Sequence, residues 1–129
     1  MNYLFVCNGN VARSQEAEYF FNDLSEDDIA KSAGVNAKVG KPLDPLVLEV
    51  MQEIDYGMPG AHRKLITKEM ADWAHKIISF KSLDELPDYV QERKDDIELW
   101  DVPDPQHQPL EFHRRVRDDI LRRIENLLQ

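Results

Sequence analysis

Residues 3–24 confine this chain more tightly than any other stretch of it. Tyr3-Leu4-Phe5-Val6 is a short apolar run rich in β-formers, the pattern of a buried strand. The turn-rich segment CNGNVAR follows, and from Ser14 to Leu24 the apolar residues Ala17, Phe20, Phe21 and Leu24 recur on one helical face. A strand that feeds a helix packs it back across a sheet whose neighbouring strands run parallel. Later segments supply those neighbours. Ile29 to Ala33 reads as a second strand ended by Gly34, Lys76 to Phe80 as a third, and Ile97 to Val102 as a weaker fourth closed by Pro103. Between them, Asp44-Pro45 pairs an N-cap acid with proline at the first helical position, ahead of Val47, Val50, Met51 and Ile54 at amphipathic spacing. Thr67 caps a further helix reaching Trp73. Pro109 opens a long last helix with Phe112, Val116, Ile120 and Ile124 in steps of four, joined by Leu121, Leu127 and Leu128. The expected class is α/β, a parallel sheet with helices on both faces, in one domain over residues 1–129.

Composition narrows what such a domain does. A net charge of −9 argues against broad nucleic-acid binding, which needs a basic surface. No apolar stretch approaches the roughly 18 residues of a membrane span, and the amino terminus reads as a strand rather than a signal peptide. A single cysteine excludes an internal disulfide and a cysteine-rich zinc site, so a cytoplasmic location is the expectation. The basic runs His113-Arg114-Arg115-Val116-Arg117 and Arg122-Arg123 alternate with acids and read as a solvated helix face. Trp73 and Trp100 are expected at the edges of the core, and His75 at the surface.

The one cysteine stands where the first strand ends, which is where ligands bind in parallel sheets. From Cys7 to Arg13 the chain must turn a loop between strand and helix. The backbone N–H groups of Asn8, Gly9, Asn10, Val11 and Ala12, with the helix amino terminus, favour a bound anion. Asn8, Gly9 and Asn10 all tolerate the left-handed backbone angles of such a cradle. Arg13 offers a planar fork that matches two oxygens of a phosphate, and the same positive field stabilises negative charge on the Cys7 sulfur. Ser14 can donate a hydrogen bond to that sulfur. Cys-x5-Arg-Ser is therefore a nucleophile at the bottom of an oxyanion cup, and it lacks the Gly-Lys of the ATP-binding loop.

A thiolate that attacks phosphorus expels an oxygen in need of a proton. Asp104, stiffened between Pro103 and Pro105 after the last expected strand, faces the same end of the sheet and is the candidate acid, with Asp101 as competitor. His107 and His113 with these two acids show no close-spaced metal-ligand pair, so neither metal nor cofactor is expected.

The opening FVCNGNVARSQEAE resembles the signature of the low-molecular-weight protein tyrosine phosphatases and the related thioredoxin-coupled arsenate reductases. Ser32-Ala33-Gly34, Asp44-Pro45, Glu53-Ile54-Asp55 with His62-Arg63, and Asp104-Pro105 follow in the family's order, so the likeness spans nearly the whole chain. It implies a four-stranded parallel sheet in a three-layer sandwich. It also implies Cys7 as nucleophile, Arg13 as phosphate ligand, Ser14 as thiolate partner, Asn10 as the residue shaping the loop and Asp104 as general acid. A histidine in the position of His62 could orient Asn10 or Ser14. Three positions depart from the family: Gln15 replaces a proline, Gln106-His107 replaces a tyrosine after Asp-Pro, and residues 35–40 hold no aromatic. The likeness thus carries the nucleophilic site but not a preference for phosphotyrosine, whose ring such aromatics would wall.

The expected activity is phosphomonoester hydrolysis through a cysteinyl phosphate, on a phosphorylated protein or small molecule. The alternatives are arsenate reduction with an external thiol, since the chain has no further cysteine, or a phosphate-binding module without catalysis.

Overall fold

The computed structural model describes residues 1–129. Strands β1 (Asn2–Cys7), β2 (Ile29–Gly34), β3 (Lys76–Ser79) and β4 (Ile97–Leu99) form one sheet in the order β2-β1-β3-β4, with every pair parallel. Helices α1 (Arg13–Leu24), α2 (Pro45–Gln52), α3 (Lys68–Trp73), α4 (Asp88–Gln91) and α5 (Leu110–Leu127) cover it. Pleating sends alternate β1 residues to opposite faces. Phe5 and Cys7 join the larger core with Phe20, Phe21, Val47, Met51, Val116, Ile120 and Ile124, whereas Leu4 and Val6 join a smaller one with Ala71, Ile77 and Val90. Helices α1, α2 and α5 therefore lie on one face, and α3 and α4 on the other.

The expected caps are present. The Asp44 carboxylate accepts the Leu46 N–H at 2.8 Å with Pro45 at the first helical position, and the Thr67 hydroxyl accepts the Met70 N–H at 3.2 Å. No helix is long and apolar enough to cross a membrane.

Three expectations give way. The fourth strand stops at Leu99 rather than Val102, although Trp100 still donates its N–H to the Ser79 carbonyl at 2.8 Å. Trp100 is a core residue, not an edge one: its ring lies 5.9 Å from those of both Phe5 and Phe80. Its indole N–H reaches Glu98 Oε2 at 2.5 Å, so the buried ring keeps a satisfied polar end. The basic run on α5 is likewise not wholly solvated. His113, Val116, Arg117, Ile120 and Ile124 fall on one stripe at i, i+3, i+4, i+7 and i+11, and all five are buried. Arg117 tolerates this because its guanidinium donates to the Val50 carbonyl and to Glu53, each at 2.8 Å. Arg122 and Arg123 make the expected surface pairs with Asp119.

The end of β2 sets the shape of the loop that follows β1. A Cβ placed on Gly34 would sit 2.7 Å from the Asn8 carbonyl oxygen, 2.8 Å from the Asn10 nitrogen and 2.9 Å from the Gly9 carbonyl carbon. All three are backbone atoms, so only glycine lets the loop lie against β2. Gly34→Ala is expected to lower the unfolding free energy by about 1–3 kcal/mol, the cost of overpacking, as read by denaturant titration. It should weaken phosphate binding in parallel, because the atoms displaced belong to the loop.

Candidate active site

β1 is a central strand whose chain leaves towards β2 and later returns on its other side as β3. Its carboxyl end is therefore the point where the strand order reverses, and Cys7 is its last residue. The loop closes over the sulfur. Cys7 Sγ lies 2.8 Å from Ser14 Oγ and accepts the Asn10 N–H at 3.3 Å. The backbone N–H groups of Asn8, Gly9, Val11 and Ala12 find no partner within the protein, which leaves a set of unpaired donors around the thiol. Of the three residues expected to tolerate left-handed angles, only Asn10 adopts one, at φ 54°. Gly9 keeps a negative φ and serves by its size, since a Cβ there would meet Val11 Cγ2 at 3.1 Å.

Asn10 holds this strained turn through every hydrogen-bonding site of its amide. Its Nδ2 donates to Ser14 Oγ at 2.8 Å and to Ser32 Oγ at 3.0 Å. Its Oδ1 accepts from Gln15 Nε2 and from the Lys64 backbone N–H, each at 2.9 Å. Because Ser14 Oγ already accepts from Asn10, its own proton is free to point at a Cys7 thiolate. Behind Asn10, Ser32 donates to Glu18 at 2.5 Å, and Lys64 Nζ closes the network on the same carboxylate at 3.0 Å.

Gln15 is the part of this network that sequence reasoning left without a role. Where the family carries proline, its buried amide bridges Asn10 Oδ1 and the His62 carbonyl, both at 2.9 Å. The proposed part for His62 changes accordingly. Its ring is exposed and contacts the Gly60 carbonyl at 3.1 Å, so His62 supports the loop through its backbone and not its imidazole. The departure at Gln15 was the available signal, but its partner lies 47 residues away and could not be read from spacing.

Arg13 and Asp104 come together as expected. Arg13 is 7% exposed, donates to the Val102 carbonyl at 3.0 Å and lies 5.8 Å from the Phe80 ring centre. Its second terminal nitrogen is 3.7 Å from Asp104 Oδ2. The Asp104 side chain is 46% exposed, and its other oxygen accepts the Gln106 N–H at 3.0 Å. The carboxylate thus stands beside Arg13, without itself lining the cavity over the sulfur, and one of its oxygens is fixed by the turn. Asp101 is exposed, makes no pair with Arg13 and borders a separate cavity with Lys81, Leu99 and Trp100. The cavity over the sulfur is lined by Cys7, Gly9, Val11, Ala12, Arg13, Asp44, Val47, Gln106 and His113. A larger cleft of about 320 Å³ near Tyr3, Ile97 and Leu127 includes none of these residues.

The family described as low molecular weight phosphotyrosine protein phosphatase matches residues 2–129. This chain belongs to that family. A glutaredoxin arsenate reductase of Synechocystis sp. is 31% identical over 128 residues, covering 97% of this chain and 94% of the relative. A protein-arginine-phosphatase of Geobacillus stearothermophilus is 30% identical over 139 residues, covering 98% and 93%. The solved structure of an arginine phosphatase from Geobacillus stearothermophilus superposes with a TM-score of 0.90 at 28% identity, over 98% of this chain and 90% of that one. Phosphatases and arsenate reductases of this family both handle tetrahedral oxyanions, the shape for which a ring of unpaired N–H groups is suited.

Glu16, one turn into α1, was not singled out by the sequence. It is fully buried and neither carboxyl oxygen has a hydrogen-bond partner. Burial pushes its carboxyl well above the ordinary carboxylate range, and the positive charges of Arg117 and Arg13 only partly counter that. The unfolded chain ionises Glu16 first, so its contribution to stability is present at acid pH and lost as pH rises through the raised folded value. Glu16→Gln removes this titration. Its stability relative to wild type should therefore increase from acid to mildly alkaline pH in denaturant unfolding. A difference that stays constant with pH would contradict a protonated Glu16 in the folded state.

Proposed function

We propose that the protein is a cysteine-dependent phosphomonoester hydrolase in which Cys7 takes the phosphoryl group. The observation that carries this is the sulfur itself, set under unpaired loop N–H groups with Ser14 Oγ at 2.8 Å and Arg13 at the same cavity. A phosphoryl group in the cup is held by the loop N–H groups and the Arg13 fork. The Cys7 thiolate attacks phosphorus, the bond to the leaving oxygen breaks, and that oxygen takes a proton from the Asp104 carboxyl. In the second step water attacks phosphorus and gives a proton back to Asp104. The sulfur–phosphorus bond breaks and the thiolate returns, stabilised by the Ser14 hydroxyl and the Asn10 N–H. The loop and Arg13 supply the positive charge this scheme needs, so it calls on no metal or cofactor. Site residues come from position 7 to position 113, so we read residues 1–129 as one catalytic domain. A cytoplasmic setting fits a chain whose activity depends on one reduced thiol.

No phenylalanine, tyrosine or tryptophan lines the cavity, so the reading extends to phosphorylated proteins and small phosphomonoesters without a phosphotyrosine preference. The likeness to an arsenate reductase favours one further reading, in which arsenate occupies the same cup. With a single cysteine, an external thiol must then complete the reduction. Assaying p-nitrophenyl phosphate and arsenate, each with and without added thiol, separates the two.

Cys7→Ser should abolish phosphatase turnover while phosphate still binds, because the cup is backbone and Arg13 whereas the covalent step needs sulfur. Residual turnover above about one per cent of wild type would require another nucleophile.

Asp104→Asn should slow alkyl and phenyl phosphates by about 10²–10⁴-fold and p-nitrophenyl phosphate by less, since a weakly basic leaving group needs no proton. Equal losses across leaving groups would show that Asp104 shapes the turn and gives no proton.

A further inference from the structure

His113 is 1% exposed, and neither ring nitrogen has a hydrogen-bond partner in the protein. An imidazole always carries at least one donor, and a buried polar group left unpaired is destabilising. This one is not remote from the chemistry, because it lines the cavity that also holds Cys7 and Arg13. The fold keeps it there. The His113 N–H bonds the Pro109 carbonyl at 3.3 Å, and Arg117, one turn further along α5, is fastened to the Val50 carbonyl at 2.8 Å. Of the other polar side chains at the cavity, Asp44 caps α2, Arg13 bonds Val102, and Gln106 is exposed to solvent. His113 is the buried side chain at this cavity whose hydrogen-bonding capacity is wholly unused.

Cys7, Arg13 and His113 line one cavity, so a group attached to a phosphoryl in the cup would lie within reach of the imidazole. We propose that His113 is a specificity-determining residue: its ring hydrogen-bonds the group carrying the phosphoryl, and so favours substrates with a polar atom near the ester oxygen over those with only hydrocarbon there. The proposal rests on the cavity being the substrate site of the phosphatase. A hydrocarbon ligand leaves the imidazole unpaired, whereas a hydroxyl or amine meets it, so the site favours the ligand that uses this hydrogen-bonding capacity.

2-Hydroxyethylphosphonate and n-propylphosphonate test this, because they match in size and charge, differ by hydroxyl against methyl, and are not hydrolysed. By calorimetry, wild type should bind the hydroxyl compound about fivefold to tenfold tighter, the effect of one net hydrogen bond. His113→Phe should reduce that ratio to about one. Equal affinities in wild type, or an unchanged ratio in the variant, overturn the proposal. A readout on unaltered protein guards against a variant that misfolds. The ring ¹⁵N resonances of His113 should move with the hydroxyl ligand and not with the propyl one, and identical responses again overturn the proposal. Inorganic phosphate titrated into wild type separates the two levels. Failure of phosphate to bind removes the anion site and with it the phosphatase reading, whereas phosphate binding without a hydroxyl preference overturns the role of His113 alone.

Discussion

The site depends on one buried amide. Asn10 sits in a left-handed conformation that L-residues seldom adopt, and it stays there because its side chain makes four hydrogen bonds to four different residues. Those partners come from α1, β2 and the segment after α2. Asn10 therefore ties three parts of the chain to a single loop geometry. The same amide sets the direction of the Ser14 hydroxyl, and its backbone N–H reaches the sulfur. A loop held less firmly would let its N–H groups turn inward and bond one another. Here those of Asn8, Gly9, Val11 and Ala12 stay unpaired, as a preorganised anion site requires.

Around that amide the chain arranges its charges with unequal care. Lys64 and Glu18 pair behind the loop, and Arg13 is fixed by the Val102 carbonyl before any ligand arrives. By contrast, Glu16 and His113 are buried with four polar atoms unmet. Buried polar groups are usually paired, and each exception calls for an explanation, a role in the chemistry being one. Both residues belong to the helices that border the cup, α1 and α5. The cup is thus braced at its floor by Asn10, and His113 alone of the two brings unused hydrogen-bonding capacity to its wall.

Much of this was legible in the sequence. Strand, loop and helix at residues 3–24, the Asp44 and Thr67 caps, and the Cys7–Arg13–Ser14 spacing all follow from local pattern, and the structure places them as read. The approach of Asp104 to Arg13 was legible because two prolines frame it. What local pattern could not give were contacts between segments distant in sequence, such as Gln15 with His62 or Arg117 with Val50. His113 and Arg117 lay within reach of a stricter reading, since both fall on the apolar stripe of α5. Their polarity masked a position that spacing assigned to the core. Trp100 was misplaced for a related reason, because a strand of three residues leaves too little periodicity to show which way the next side chain turns.

The central claim is that the phosphoryl group passes through the sulfur of Cys7. Quenching the enzyme in acid during the first turnover of p-nitrophenyl phosphate, followed by peptide mapping, tests it most directly. The account predicts one phosphoryl group, bound through sulfur, on the peptide that contains Cys7. A phosphoryl group on any other side chain, or steady hydrolysis with no trapped phosphoenzyme, would contradict it.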